Sequence, residues 1–143
     1  MKTRVVALDI YGTILSSSDY ENAMPFRNGF EEFVKRCHDA EIDIVTASDS
    51  EINMLRIDLQ EACRKSGVLD MNIFDSFYYL NTYPKQFSQL IEDYGIKPEE
   101  LFVIGDNYES DLREAEEVGC QVLIVPKYDL VGDRFDFSSI QIK

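Results

Sequence analysis

Five side chains that can handle a phosphoryl group sit just past apolar runs or helix starts. Val5-Val6-Ala7-Leu8 delivers Asp9, and Gly12-Thr13 then turn the backbone. Residues 42–45 deliver Thr46, and Val103-Ile104-Gly105 delivers Asp106, with Asp111 one helical turn further on; Lys85 follows Pro84. Singly, each has an ordinary use. Asp9 can end a strand, Thr46 can be a turn residue, Lys85 a solvated side chain, and Asp111 an acid suited to a helix N-terminus. Jointly they do more. If the runs are parallel strands, Asp9, Thr46 and Asp106 fall at one edge of the sheet, where ligands of open α/β sheets bind. Asp9 and Asp106 can then share one Mg²⁺, which takes carboxylates, carbonyls and water. An oxygen-only set without histidine or cysteine suits that ion over zinc. A carboxylate can also attack phosphorus to form an acyl phosphate. Thr46 can donate to a phosphoryl oxygen, and Lys85 can neutralise charge on the phosphate and on Asp9.

The elements that must position these residues are readable from periodicity. Strands are expected at 4–9, 42–46, 77–80, 101–104 and 122–125. Between them, Phe30, Phe33, Val34 and Cys37 stripe a helix over about 27–40 that follows Pro25. Ser48 and Glu51 form a capping box for a helix over about 50–65, with Ile52, Leu55, Leu59 and Cys63 on one face and Gly67 at its end. Pro84 starts a helix bearing Phe87, Leu90, Ile91 and Tyr94 and closed by Gly95. Another helix covers about 108–118, a polar loop at 16–22 can lie over the first strand's end, and a weak strand is expected near Ile140. Strands alternating with helices give a three-layer α/β fold with a mostly parallel five-stranded sheet. Residues 1–143 read as one domain, with no repeat and no linker.

Composition narrows the partners. A formal charge of −13, from 27 acids against 14 bases, repels a phosphate backbone, so nucleic acid is not expected. No apolar run approaches a membrane span, and the short apolar start lacks a signal-peptide core, so the expected place is the cytoplasm. Cys37, Cys63 and Cys120 are odd in number and sit in apolar patterns, as buried reduced thiols do. His38, the one histidine, lies off its helix's apolar stripe. The tyrosines show no basic interleaving and read as core edge or interface.

Asp9-x-Tyr11-Gly12-Thr13, Thr46 after an apolar strand, Lys85 before a helix, and Gly105-Asp106-Asn107 with Asp111 resemble the four motifs of the haloacid dehalogenase-like (HAD) hydrolases. The resemblance spans residues 4–125 in the family's order. It implies a Rossmann-like sheet of strand order 3-2-1-4-5, with Asp9 at the centre. It also implies Asp9 as nucleophile, Asp106 as Mg²⁺ ligand with Asp111 supporting it, and the Tyr11 carbonyl completing the protein's metal ligands. Two features depart from the family's phosphatases. Tyr11 stands where most carry a second aspartate that protonates the leaving group; a phenol of pKa near 10 is a poorer donor. The Asp-x-Tyr-Gly-Thr form is similar to that of the 2-haloacid dehalogenases, which close their site with a helical cap and do not need the Gly-Asp-Asn metal motif. This chain keeps the metal residues and has no room for a cap, neither between Thr13 and Pro25 nor between Thr46 and Lys85. The expectation is therefore a capless Mg²⁺-dependent phosphatase or phosphotransferase working through phospho-Asp9. Its open site implies a large phosphorylated substrate, such as a protein, or a partner that covers the site. The alternative is a binding or regulatory relative that kept fold and metal and lost turnover with the acid.

Overall fold

The computed structural model describes residues 2–16, 25–129 and 132–143. Its centre is β1 (Val5–Leu8), four apolar residues buried throughout because a strand lies on each side and helices cover both faces. The other strands are β2 (Asp43–Ser48), β3 (Ser76–Tyr79), β4 (Leu101–Gly105) and β5 (Gln121–Ile124). All pair in parallel in the order β3-β2-β1-β4-β5, as the motifs implied. In register, Leu8 meets Thr46 on one side and Ile104 on the other. The first residues beyond these pairs therefore emerge at one sheet edge.

Strand periodicity divides the core in two. Val6, Leu8, Ile44 and Ile104 face α1 (Phe30–Asp39) and α2 (Ile52–Ser66), and Phe137 and Ile140 from the C-terminal segment join them. Phe137 meets the rings of Phe30 and Phe33 edge-on at 5.6 and 5.1 Å. Val5, Ala7, Val45 and Val103 face the opposite way, toward Phe87 and Leu90 at the start of α3 (Ser88–Tyr94) and Ala115 of α4 (Arg113–Glu117).

Several boundaries differ from expectation for local reasons. Helix α1 begins at Phe30 because Gly29 takes a left-handed φ of 84°. Strand β2 runs on through Ser48, which leaves Glu51 as the N-cap of α2; its carboxylate accepts from the amides of Asn53 and Met54, and the expected Ser48 capping box does not form. Ile52 is only half-buried, and Ala62 completes the buried stripe. Pro84 lies in the loop before α3 and not at its first turn. The helix expected at 108–118 is a π-helical turn, Tyr108–Leu112, running into α4. Near Ile140 a short 3₁₀ turn, Phe137–Ser139, replaces the expected strand. The loop expected at 16–22 falls, except for Ser16, outside the described residues. The three cysteines are buried and free, and no described helix is long and apolar enough to cross a membrane.

Candidate active site

Asp9 follows β1 directly, its amide still donating to the Ile104 carbonyl at 3.0 Å. Asp9 is 8% exposed, and its carboxylate is held from both oxygens. Lys85 Nζ donates to Oδ1 at 2.8 Å, and Thr13 Oγ1 donates to Oδ2 at 2.9 Å while lying 3.4 Å from Asp106 Oδ1. Asp106 stands one residue past β4. Asp111 comes from the π-helical turn that follows. Oxygens of Asp9, Asp106 and Asp111 lie within 4.8 Å of one another.

Three hydrogen bonds explain how distant segments reach this point. The Lys85 amide donates to the Ser110 carbonyl at 2.9 Å, tying the loop before α3 to the turn after β4. Asn107 caps that turn, accepting from the Ser110 amide and donating its own amide to Asp111 Oδ2 at 3.2 Å. Lys85, 3% exposed, thereby pairs with Asp111 Oδ1 at 2.7 Å and also donates to the Ala47 carbonyl at 2.8 Å. It is a buried cation bridging two acids, not a solvated side chain. Glycine is required twice. A Cβ on Gly12 (φ +88°) would stand 2.6 Å from Asp106 Oδ2, and one on Gly105 would stand 2.7 Å from Asp111.

The electrostatics follow from this crowding. Burial raises the Asp9 carboxyl to about 6, with Lys85 pulling it down and Asp106 pushing it up. Burial, then the Asp9 charge, raises Asp111 also. Burial opposes the Lys85 charge, yet Asp9 and Asp111 more than offset it and hold the ammonium above its ordinary range. Among the described residues, three carboxyl groups gather around one ammonium, an acidic excess whose donors are oxygens. That excess and that donor set fit one divalent hard cation.

The structure thus brings Asp9, Lys85, Asp106 and Asp111 into direct contact or near it. Thr46 and Tyr11 are placed differently. Thr46 lies inside β2, paired with Leu8 and buried, and its hydroxyl has no hydrogen-bond partner among the described residues. Tyr11 donates its hydroxyl to Asp58 of α2. Thr13 and Asn107, quoted above only as motif neighbours, prove to orient the acids; Asp58 and Arg27 carried no signal in the sequence.

Comparisons with known proteins agree with this fold. Residues 82–127, which hold Lys85, Asp106 and Asp111, match a family model described as HAD-hydrolase-like. No curated protein matches the chain. Among solved structures, CbbY from Rhodobacter sphaeroides, a mutant complexed with xylulose-(1,5)bisphosphate, superposes with a TM-score of 0.69 at 13% identity, covering 96% of this chain and 92% of that one. A HAD phosphatase from Thermococcus onnurineus gives a TM-score of 0.66 at 16% identity, with 94% and 89% covered. The N-terminal part of a Bacteroides fragilis protein, containing a phosphatase domain complexed with Mg, gives 0.66 at 19% identity, with 87% and 36% covered. The chain has the fold of the HAD-like hydrolases. Among the described residues, one helix joins β1 to β2, and one helix with a short 3₁₀ turn joins β2 to β3, with no inserted cap.

Proposed function

We propose that this HAD-fold chain is a Mg²⁺-dependent phosphatase or phosphotransferase that works through a phosphoryl group on Asp9. The carrying observation is a buried carboxylate held from both sides and set against two further acids. In the first step an Asp9 oxygen attacks phosphorus, a new O–P bond forms, and the P–O bond to the ester oxygen breaks, that oxygen leaving with the electron pair. In the second, water or another acceptor attacks the phosphorus of the acyl phosphate, and the P–O bond to Asp9 breaks to restore the carboxylate. Lys85 fixes Asp9 for attack and balances charge gathering on the phosphoryl oxygens. Thr13 and Asn107 hold Asp9 and Asp111 in place, and the buried hydroxyl of Thr46 is available to a phosphoryl oxygen. Asp9, Asp106 and the Tyr11 carbonyl, supported by Asp111, would hold Mg²⁺, which would supply charge neutralisation at the phosphoryl group.

The substrate is a phosphorylated molecule, and an uncapped site favours a macromolecular one such as a phosphoprotein. The Tyr11–Asp58 hydrogen bond supports a second reading, a module that accepts a phosphoryl group or phosphate and turns over slowly. One experiment separates them: hydrolysis of an aryl phosphate with and without Mg²⁺, by the wild type and by Asp9→Asn. Metal-dependent turnover that Asp9→Asn removes is expected. Turnover that survives Asp9→Asn sinks the nucleophile, and Mg²⁺ binding without turnover favours the module.

A further inference from the structure

Arg27 is among the largest fully buried side chains, with 0% of its side chain exposed. Its Nε and Nη2 donate to Asp133 Oδ2 and Oδ1 at 3.2 and 2.9 Å, a bidentate pair. The guanidinium also lies 5.2 Å from the Tyr128 ring centre and 4.7 Å from that of Phe135. Every one of these partners comes from the segment after β5. For stability alone such a pair is a poor choice, since desolvation offsets much of its Coulomb gain and apolar residues of like volume do as well. A third contact is one that no apolar residue could make. Arg27 Nη1 donates to the Thr13 carbonyl at 3.2 Å. Thr13 is the residue whose hydroxyl holds Asp9 Oδ2. The neighbouring Gly12 carbonyl is held by the same C-terminal segment, accepting from the Tyr128 amide at 2.6 Å. The tip of Tyr128 in turn donates to the Pro25 carbonyl at 3.2 Å.

We propose that Arg27 is a positioning residue for Asp9, acting through Thr13, and that Asp133, Tyr128 and Phe135 serve to hold Arg27 there. The peptide after Asp9 is fixed by its own turn, in which the Thr13 amide donates to Ile10. The Tyr128 amide then holds the Gly12 carbonyl, and Arg27, itself gripped by Asp133, holds the Thr13 carbonyl. The Thr13 hydroxyl is thereby placed between Asp9 and Asp106. Displacement of a reacting group by about 1 Å can cost about 100-fold in rate, so this anchorage controls catalysis without touching substrate. The segment beyond β5 is then part of the catalytic apparatus and not only a cover for the α1 face.

The inference rests on the proposed phosphatase reading, and its test is arranged so that the two can fail separately. Arg27→Lys keeps the charge and loses the planar fork, Thr13→Val removes the hydroxyl, and the double variant combines them. Asp133→Asn serves as a milder variant should Arg27→Lys fold poorly, and melting curves confirm that each protein is folded at the assay temperature. With p-nitrophenyl phosphate and Mg²⁺, Arg27→Lys is expected to lower kcat by about 10-fold or more with KM within about 2-fold. The double variant should be no slower than Thr13→Val alone, because the two residues act in series. Asp133→Asn should show a smaller loss of the same kind. Should the wild type lack turnover, the phosphatase reading fails, and the clamp is judged by Mg²⁺ dissociation constants from calorimetry. Arg27→Lys and Thr13→Val should each weaken binding by about 3-fold or more, without further loss in the double. An unchanged kcat or, in that second case, an unchanged Mg²⁺ affinity in folded Arg27→Lys overturns the inference. So do losses that multiply in the double variant, which would make Arg27 a core staple.

Discussion

Two sets of residues around Asp9 are built on different terms. In one, Lys85 bridges Asp9 and Asp111 at 2.8 and 2.7 Å, Asn107 orders the turn, and each described polar contact leads to another. In the other, the Thr46 hydroxyl is buried with no partner among the described residues, and the Tyr11 hydroxyl is committed to Asp58. The wired set is what forming an acyl phosphate demands: a nucleophile fixed in place and charge balanced around it. Under the proposed reading, position 11 in the unwired set is where an acid would protonate the leaving group and take the water's proton. On that reading, the contrast describes a site better supplied to take up a phosphoryl group than to release it by proton transfer.

The largest effect that tests the contrast is on the wired set. Asp9→Asn should reduce turnover of any phosphate ester to the uncatalysed background. Discontinuous phosphate-release assays with an aryl and an alkyl ester check this. Residual metal-dependent activity on either ester would place the nucleophile elsewhere and dissolve the comparison.

Next in size is the repair of the unwired set. An acid at position 11 can protonate a departing alkoxide and then take the water's proton, help worth about 10²–10⁴ in rate. With Tyr11 present, an aryl phosphate should react well ahead of an alkyl phosphate, since a phenolate leaves without a proton. Tyr11→Asp should raise alkyl-phosphate turnover by up to about 100-fold and leave aryl turnover less changed. Equal aryl and alkyl rates in the wild type, with Tyr11→Asp no faster, would show that the proton comes from another group, and Asp58 would be the first to test.

The residues around Asp9 also show what was legible in the sequence. Asp9, Lys85, Asp106 and Asp111 could be placed together because each follows an apolar run or a helix start, and parallel pairing sends all such positions to one edge. The strand order followed from the same motifs. Arg27 could not be read, because a buried arginine looks like a solvated one until its partner, 106 residues away, is brought beside it. Asp58 was hidden likewise among the polar positions of an amphipathic helix. The Ser48 cap failed for a different reason: Ser48 and Glu51 can both accept from free helix amides, and the choice was made by how far β2 runs. At Ile140 an apolar residue near the chain's end looked like a strand, but its burial beside α1 is achieved with a single 3₁₀ turn.

A smaller effect sharpens the electrostatics of the wired set. The folded-state pKa of Asp9, raised to about 6, exceeds its unfolded value near 4. The folded chain therefore binds this proton more tightly than the unfolded chain. Its contribution to stability is present in full below about pH 4 and is lost as pH rises through about 6. Asn cannot ionise and still accepts from Lys85. In metal-free buffer, Asp9→Asn should thus be more stable than the wild type above pH 6, by about 1–3 kcal/mol, with the advantage fading toward pH 4. Denaturant melts of both proteins from pH 4 to 8 with a chelator present check it. A pH-independent difference would mean that Lys85 neutralises Asp9 fully and that no charge is left over for a cation.

The smallest expected effect probes the unwired set directly. A buried hydroxyl without a partner costs about 1–3 kcal/mol relative to one that is bonded, and removing it relieves that cost. Thr46→Val keeps the branched shape that packs between Leu8 and Phe77 in register. It should therefore raise stability by about 1 kcal/mol, or Tm by about 3 °C for a chain of this size. The same change removes a donor that a phosphoryl oxygen could use, and a hydrogen bond to a charged group contributes about 1.5–3 kcal/mol. Inorganic phosphate, titrated in the presence of Mg²⁺, should bind Thr46→Val about 10-fold more weakly than the wild type. Thr46→Ser keeps the hydroxyl and loses a methyl, so it should bind phosphate nearly as well and melt lower. The opposed signs are the point of the pair of variants, because a purely structural threonine would lose stability in both and change affinity in neither. If Thr46→Val melts lower, the hydroxyl already has work within the fold. If it melts higher and binds phosphate undiminished, the orphan hydroxyl does not face the phosphoryl group, and the unwired set is silent in binding as well as in proton transfer.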